Sequence, residues 1–190
     1  GALSASDPKA LAQLSERVAQ ENRLRQAITQ MDFPRVHDLN DPAVALIVSD
    51  LDGTFIGATA FAVSADGLLV TNRHVVRSSS GHLPRRIRVL FANTTDWRSA
   101  VLVRVSDADD LALLRLEGGA PVPVVAGVSR TARDTRVGSP VATIGYPHAV
   151  DTPMEGTGLD VRARTTTTAG TVSKRLSDVL QIDSYAGKGS

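Results

Sequence analysis

A chain of 190 residues with 42% hydrophobic content is long enough to bury the core of one domain or of two small lobes. Its 21 Lys and Arg stand against 20 Asp and Glu, a formal net charge of +1 with no long run of one sign, so neither a nucleic acid nor an anionic membrane is implied as a partner. Cysteine is absent, which excludes disulfides, thiolate metal ligands and a cysteine nucleophile among these residues, and no apolar run approaches the roughly 18 to 20 residues that span a bilayer.

Taken in chain order, Asp7-Pro8 reads as a helix cap followed by proline in the first turn, and the residues after it lack Gly and Pro as far as Met31. The apolar positions Leu11, Leu14, Val18, Leu24, Ile28 and Met31 follow part of a helical stripe, with Glu21 and Arg25 breaking any heptad seam. This predicts one extension or packing helix within residues 1–42. Beyond Pro34 and Pro42 the texture changes to short β-rich runs at Val44 to Val48, Ile56 to Val63, Leu68 to Thr71, Ile87 to Phe91 and Val101 to Val105. Asp52-Gly53 and Asp66-Gly67 mark hairpin turns between the first three. Further runs lie at Leu111 to Leu116, Val122 to Val125, Pro140 to Ile144, Thr165 to Val172 and Val179 to Ile182. So many short strands with few helices predict an all-β architecture of antiparallel barrels or a sandwich, with exposed loops at Ser78 to Arg86 and Tyr146 to Val161.

Of the four histidines, His74 alone sits at the end of a strongly apolar hairpin, the rigid mount that a general base requires. Asp110 opens the apolar run Asp110-Leu111-Ala112-Leu113-Leu114, where a buried carboxylate would need a partner and His74 would supply one. Asp107 and Asp109 read as solvated turn acids. His37, His82 and His148 read as structural, since they lack the spacing of metal ligands, and no metal or other cofactor is expected. Near the chain's end, Gln181-Ile182-Asp183-Ser184-Tyr185-Ala186-Gly187-Lys188-Gly189-Ser190 is a glycine-rich turn after a short strand, which suits a loop whose backbone N–H groups face a developing oxyanion.

In order, Thr71-Asn72-Arg73-His74-Val75, Asp110-Leu111-Ala112-Leu113-Leu114, Ile144-Gly145-Tyr146-Pro147, Thr168-Ala169-Gly170-Thr171-Val172-Ser173 and the closing Gln-x-Asp with its glycine turn resemble the trypsin-like serine proteases, in particular their HtrA (Do-like) branch. The resemblance covers roughly Val44 to Ser190. It implies two six-stranded antiparallel β-barrels, the first over residues 43–126 and the second, incomplete within this sequence, over 127–190. It further implies a serine endopeptidase acting on polypeptide substrates, with His74 as general base and Asp110 as its orienting acid.

The family's Gly-x-Ser-Gly-x-Pro turn, aligned on Gln181, Asp183 and Gly189, places the nucleophile at the position after Ser190. Ser190 itself takes the role only if the loop is one residue shorter, with Lys188 then standing where the family has glycine. By the same resemblance Gly189 belongs to the oxyanion hole, and Tyr185 and Ala186 line the substrate pocket, with no acidic residue to select Lys or Arg. The family's closing strands and the downstream PDZ module are not in this sequence, which is expected to stop short of a complete enzyme. Homo-oligomers, a role in protein quality control and a bacterial periplasmic or envelope location belong to the branch; nothing in these residues decides them.

Two other readings compete. Ala43 to Thr54 resembles the first motif of haloacid-dehalogenase-type phosphatases, with Asp50 as nucleophile and Asp52 as acid and base beside Mg²⁺. That fold alternates strands and helices, whereas successive strands follow Thr54, and Asp52-Gly53 is itself a strong hairpin signal. A protease-like fold that only binds peptides or a partner is the remaining class.

Overall fold

The computed structural model describes residues 12–19, 22, 31–129, 135–147, 154–155, 162–177 and 179–184. Residues 12–19 are helical (α1), with Leu14 and Val18 exposed. The expected cap at Asp7-Pro8 lies outside the described residues. A separate helix, α2 (Phe33–Asn40), departs from the single helix expected. Pro34 stands in its first turn, where a missing N–H costs nothing, and the Asn40 side chain donates to Val36 O at 2.8 Å near its end.

Six strands, β1 (Val44–Leu51), β2 (Thr54–Ala62), β3 (Leu68–Thr71), β4 (Ile87–Phe91), β5 (Trp97–Val105) and β6 (Ala112–Leu116), close into an antiparallel barrel of order β1-β2-β3-β6-β5-β4. Closure follows from β4 returning to β1, with Ala45 opposite Phe91 and Ser49 opposite Ile87, so this barrel leaves no edge open. Its interior is filled by alternate residues: Ala45 and Ile47, then Ala58, Ala60 and Ala62, then Leu69, Val89, Leu114 and Leu116. The small alanines of β2 face the larger side chains of its neighbours, which lets a narrow barrel fill without voids. β1 is apolar on both faces because its outer residues Val44 and Leu46 pack with Leu90, Tyr146 and Ala163.

Both turn signals act as read. Asp52 and Gly53 have φ of 53° and 82°, the left-handed pair that a two-residue hairpin demands, and Gly67 has φ of 88° in the β2–β3 turn. The run Val122 to Val125, expected as a strand, has no ladder. Val122 and Val125 donate to Ala65 O and Ala62 O, but Pro121 and Pro123 have no N–H to continue the pairing.

The later strands are β7 (Pro140–Gly145), β8 (Met154–Glu155), β9 (Arg162–Ala163), β10 (Thr166–Arg175) and β11 (Leu180–Ile182). They form a three-stranded sheet, β11-β10-β7, and a two-stranded β8-β9 ladder. Where two six-stranded barrels were expected, the second incomplete within this sequence, the described residues hold one closed barrel, a three-stranded sheet and a two-stranded ladder. The chain divides into two compact units, the barrel lying in the one that contains residues 34–130 and 143–168, and most of β10 with all of β11 in the one that contains residues 131–142 and 169–184.

A Cβ at Gly67 would stand 3.0 Å from Leu116 Cβ, in a backbone conformation that side chains rarely adopt. Gly67→Ala is therefore expected to cost about 1 to 3 kcal/mol of stability. Urea unfolding would read this as a lower midpoint at unchanged m-value; a wild-type midpoint would show that the hairpin relaxes freely.

Candidate active site

His74 lies on α3 (Arg73–Val76), the single helical turn that follows β3. Val75 and Val76 have no exposed surface and join the barrel core, so the turn is plugged into the barrel while His74 stays at its rim. Asp110 reaches the same place from the other direction, at the end of the bend that precedes β6. The pairing of β3 with β6, Thr71 opposite Ala112, brings the two residues together across 36 positions of sequence.

The contact is twofold. His74 Nδ1 stands 2.7 Å from Asp110 Oδ2, and the His74 backbone N–H donates to Asp110 Oδ1 at 3.0 Å. Asn72 Nδ2 adds bonds of 3.0 Å to Asp110 O and 3.3 Å to its Oδ2. Arg73 braces the bend by donating to Ser106 O and Asp107 O. Partial burial pushes the Asp110 pKa up, but the two hydrogen bonds from His74, with the His74 and Arg73 charges behind them, outweigh it and hold the carboxyl below its ordinary 3.8. The carboxylate is then ionised at neutral pH and can only accept. Nδ1 must carry the proton, and the neutral ring presents an unprotonated Nε2. Nε2 has no hydrogen-bond partner among the described residues.

Sequence reasoning expected Asp110 to be buried, and here the structure corrects it. Its side chain is 45% exposed and that of His74 57%, because the bend is polar and ends before the barrel's apolar layer begins at Ala112. Asp107 and Asp109 are exposed turn acids, as read. Beside the pair opens a cavity of about 960 Å³, lined by Leu51, Asp52, Thr54, Ile56, Arg73, His74, Arg77, Asp110 and the loop Ser78 to Gly81.

His37 and His82 have partners of their own, Thr167 Oγ1 at 2.8 Å and the Asp52 carboxylate at 3.0 Å, and no cluster of His, Cys, Asp or Glu among the described residues suits a metal. Asp50 and Asp52 flank the β1–β2 turn, where Asp50 Oδ1 accepts from Gly53 N at 3.2 Å and Asp52 from His82. The Asp50 carboxylate thus braces this antiparallel hairpin and that of Asp52 ties it to the loop before β4, and the strand-helix alternation of a phosphatase does not follow it.

In the other unit, Asp183 accepts from Thr171 N and, at 2.9 Å, from Thr171 Oγ1, bonds that keep its pKa below 3.8. Gly170 makes this possible, since a Cβ there would come within 2.8 Å of Asp183 Oδ1 and of Ser184 N. The Thr-Ala-Gly-Thr-Val-Ser and Gln-x-Asp motifs are therefore one clamp between β10 and β11. Tyr185, Ala186, Gly187, Gly189, Ser190 and His148 lie outside the described residues. Asn72, which donates to Asp110, and Arg77, which lines the cavity, were not among the residues expected at the site. Asn72 was legible only as part of the Thr-Asn-x-His pattern, and Arg77 carried no signal.

Because the Asp110 pKa falls on folding, its stabilisation is fully present above the unfolded-state value and is lost as the pH drops through the lower folded-state value. The stability difference between wild type and Asp110→Asn is thus expected to shrink as the pH falls from about 5 through the carboxylate range. Urea midpoints below pH ~5 check it; a difference that grows as the pH falls through that range would contradict the assigned direction.

Residues 58–190 match the trypsin-like peptidase domain family. Serine protease HTRA2, mitochondrial, of Bos taurus is 38% identical over 92 residues, 48% of this chain and 18% of that protein. Serine protease HTRA4 of Homo sapiens is 29% identical over 135 residues, 70% of this chain and 26% of that protein. The chain spans about a quarter or less of the length of these curated relatives. A match over 133 of 190 residues, with a six-stranded antiparallel barrel bearing His74 and Asp110 at its rim, places this chain in the trypsin-like peptidase domain family, alongside the HtrA serine proteases.

Proposed function

We propose that the chain carries the general-base half of a serine endopeptidase that hydrolyses peptide bonds through a Ser-His-Asp triad. The observation that carries this reading is the 2.7 Å contact of His74 Nδ1 with Asp110 Oδ2 at the rim of a cavity, a pairing that makes Nε2 the acceptor of the neutral ring. In the reaction, the serine hydroxyl attacks the peptide carbonyl while His74 Nε2 takes its proton. Asp110 holds the ring and stabilises the imidazolium, which then protonates the leaving amine. The nucleophile is Ser190 or the serine expected immediately after it.

Backbone N–H groups of the turn around Gly189 hold the oxyanion, each such donor being worth about 3 to 4 kcal/mol of barrier. Tyr185 and Ala186 line a pocket for a small or medium apolar side chain. On this reading residues 43–126 make the first barrel, residues 127–190 contribute to a second one, and residues 1–42 are a helical extension. Support for the second barrel comes from the β10-β11 clamp, which holds the chain just before the glycine-rich turn.

A fluorophosphonate probe applied to the full-length protein tests the proposal. Covalent labelling of one serine, located by peptide mapping at Ser190 or its successor and abolished in His74→Ala, is the expected result. Asp110→Asn is expected to lower kcat by about 10⁴-fold with little change in KM, since it removes the group that sets the tautomer. An unlabelled but folded protein that still binds peptides would replace the enzyme with a binding module of the same fold.

A further inference from the structure

The cavity beside His74 holds four charged side chains besides the histidine, and they are not equally available. Asp110 is engaged by His74 and Asn72, and Asp52 by His82, whose Nδ1 stands within 3.1 Å of both carboxylate oxygens. Arg73 is spent on the carbonyls of Ser106 and Asp107. Arg77 differs from them. It lines the cavity, its guanidinium passes near the position a Cβ would take on Gly81, and it has no hydrogen bond or ion pair among the described residues.

Beside it Ser78 Oγ and Ser80 Oγ pair at 2.8 Å, and Ser78 Oγ accepts from His82 N, so the loop that follows Arg77 is closed on itself by its own hydroxyls and does not compete for the guanidinium. A cavity in which both acids are already paired and one arginine donates to none of the described residues suits a carboxylate, which a guanidinium fork binds with two parallel hydrogen bonds. His74 faces the same cavity, and it is His74 that hands its proton to the leaving amine. Residues just after the cleaved bond therefore run past the imidazole into this space.

We propose that Arg77 is a specificity-determining residue that selects polypeptides carrying an acidic side chain, Glu or Asp, shortly after the cleaved bond. The site rests on the endopeptidase reading for its orientation, but its charge preference can be measured without turnover.

The test uses fluorescently labelled hexapeptides with a free N-terminus, mimicking the leaving product, with Glu, Gln or Lys at the second residue. Anisotropy titrations would be run on wild type, Arg77→Gln and Arg77→Glu; Arg77 is exposed, and the urea midpoint of each variant checks that it folds. Wild type is expected to bind the Glu peptide about three- to fivefold tighter than the Gln peptide, a gap that narrows with added salt. The gap should vanish in Arg77→Gln, and Arg77→Glu should prefer Lys. An identical order of affinities in all three proteins, or no discrimination in wild type, overturns the proposal. An Arg77-dependent Glu preference in a protein that the fluorophosphonate probe leaves unlabelled upholds the acidic-peptide site and removes the endopeptidase reading instead. Labelling without the preference removes the site alone.

Discussion

Val75 and Val76 enter the barrel interior with no exposed surface, and the placement of the chemistry depends on that burial. A four-residue helical turn has no stability of its own in water, because nucleating a helix fixes several dihedrals for a single hydrogen bond. The two valines anchor it, each worth roughly 1.5 to 3 kcal/mol of apolar burial. With them seated, His74 projects from a rigid rim, and its backbone N–H points at Asp110 as its ring does. The carboxylate therefore grips the mount and the catalytic candidate at once.

A second polar centre holds the same unit together away from the cavity. Asp41 is buried, and its carboxylate accepts from Thr165 Oγ1 and, at 2.7 Å, from Asn93 Nδ2, with His37 Nε2 4.0 Å away. Asn93 in turn accepts from Arg164, and its N–H reaches Ala163 O at 3.2 Å. A buried carboxylate is tolerated only when its lone pairs are filled, so this network commits the segment before β1, the turn after β4 and the approach to β10 to one arrangement. Tyr146 lies fully buried against β1, where burial and then the charge of Asp41 push its phenol well above the ordinary tyrosine value, and its N–H bonds to Thr59 Oγ1 at 2.9 Å. Gly145 is needed beside it, since a Cβ there would come within 2.7 Å of that same hydroxyl. The Ile-Gly-Tyr-Pro motif is thus a packing device on the outside of the barrel.

The barrel and the cavity also divide the work chemically. The barrel's apolar layer ends at Thr71 and Ala112, and past that level the chain turns polar: Asn72, Arg73 and the bend Asp107 to Asp110. Hydrogen bonds replace apolar packing there, which leaves the His74–Asp110 pair solvated on one side and reachable by a peptide. An imidazole sealed in the core would keep its tautomer but would meet no substrate.

Local signals determined a good deal before any tertiary contact was considered. Short β-rich runs bounded by turn residues placed the barrel strands, because branched and apolar side chains favour a pleated, packed surface. Asp52-Gly53 and Asp66-Gly67 placed two turns, because left-handed backbone favours those residues. His74 and Asp110 stood out by their positions at the ends of apolar runs. What sequence alone did not reveal is what depends on distance in space. The exposure of Asp110, the partnering of Asp41 with Thr165 and Asn93, and the place of Arg77 beside the paired charges of the cavity arise only after β3 has met β6 and the later segments have returned to β1. Whether a charge is paired or free depends on neighbours tens of residues away along the chain, and no local pattern carries that information.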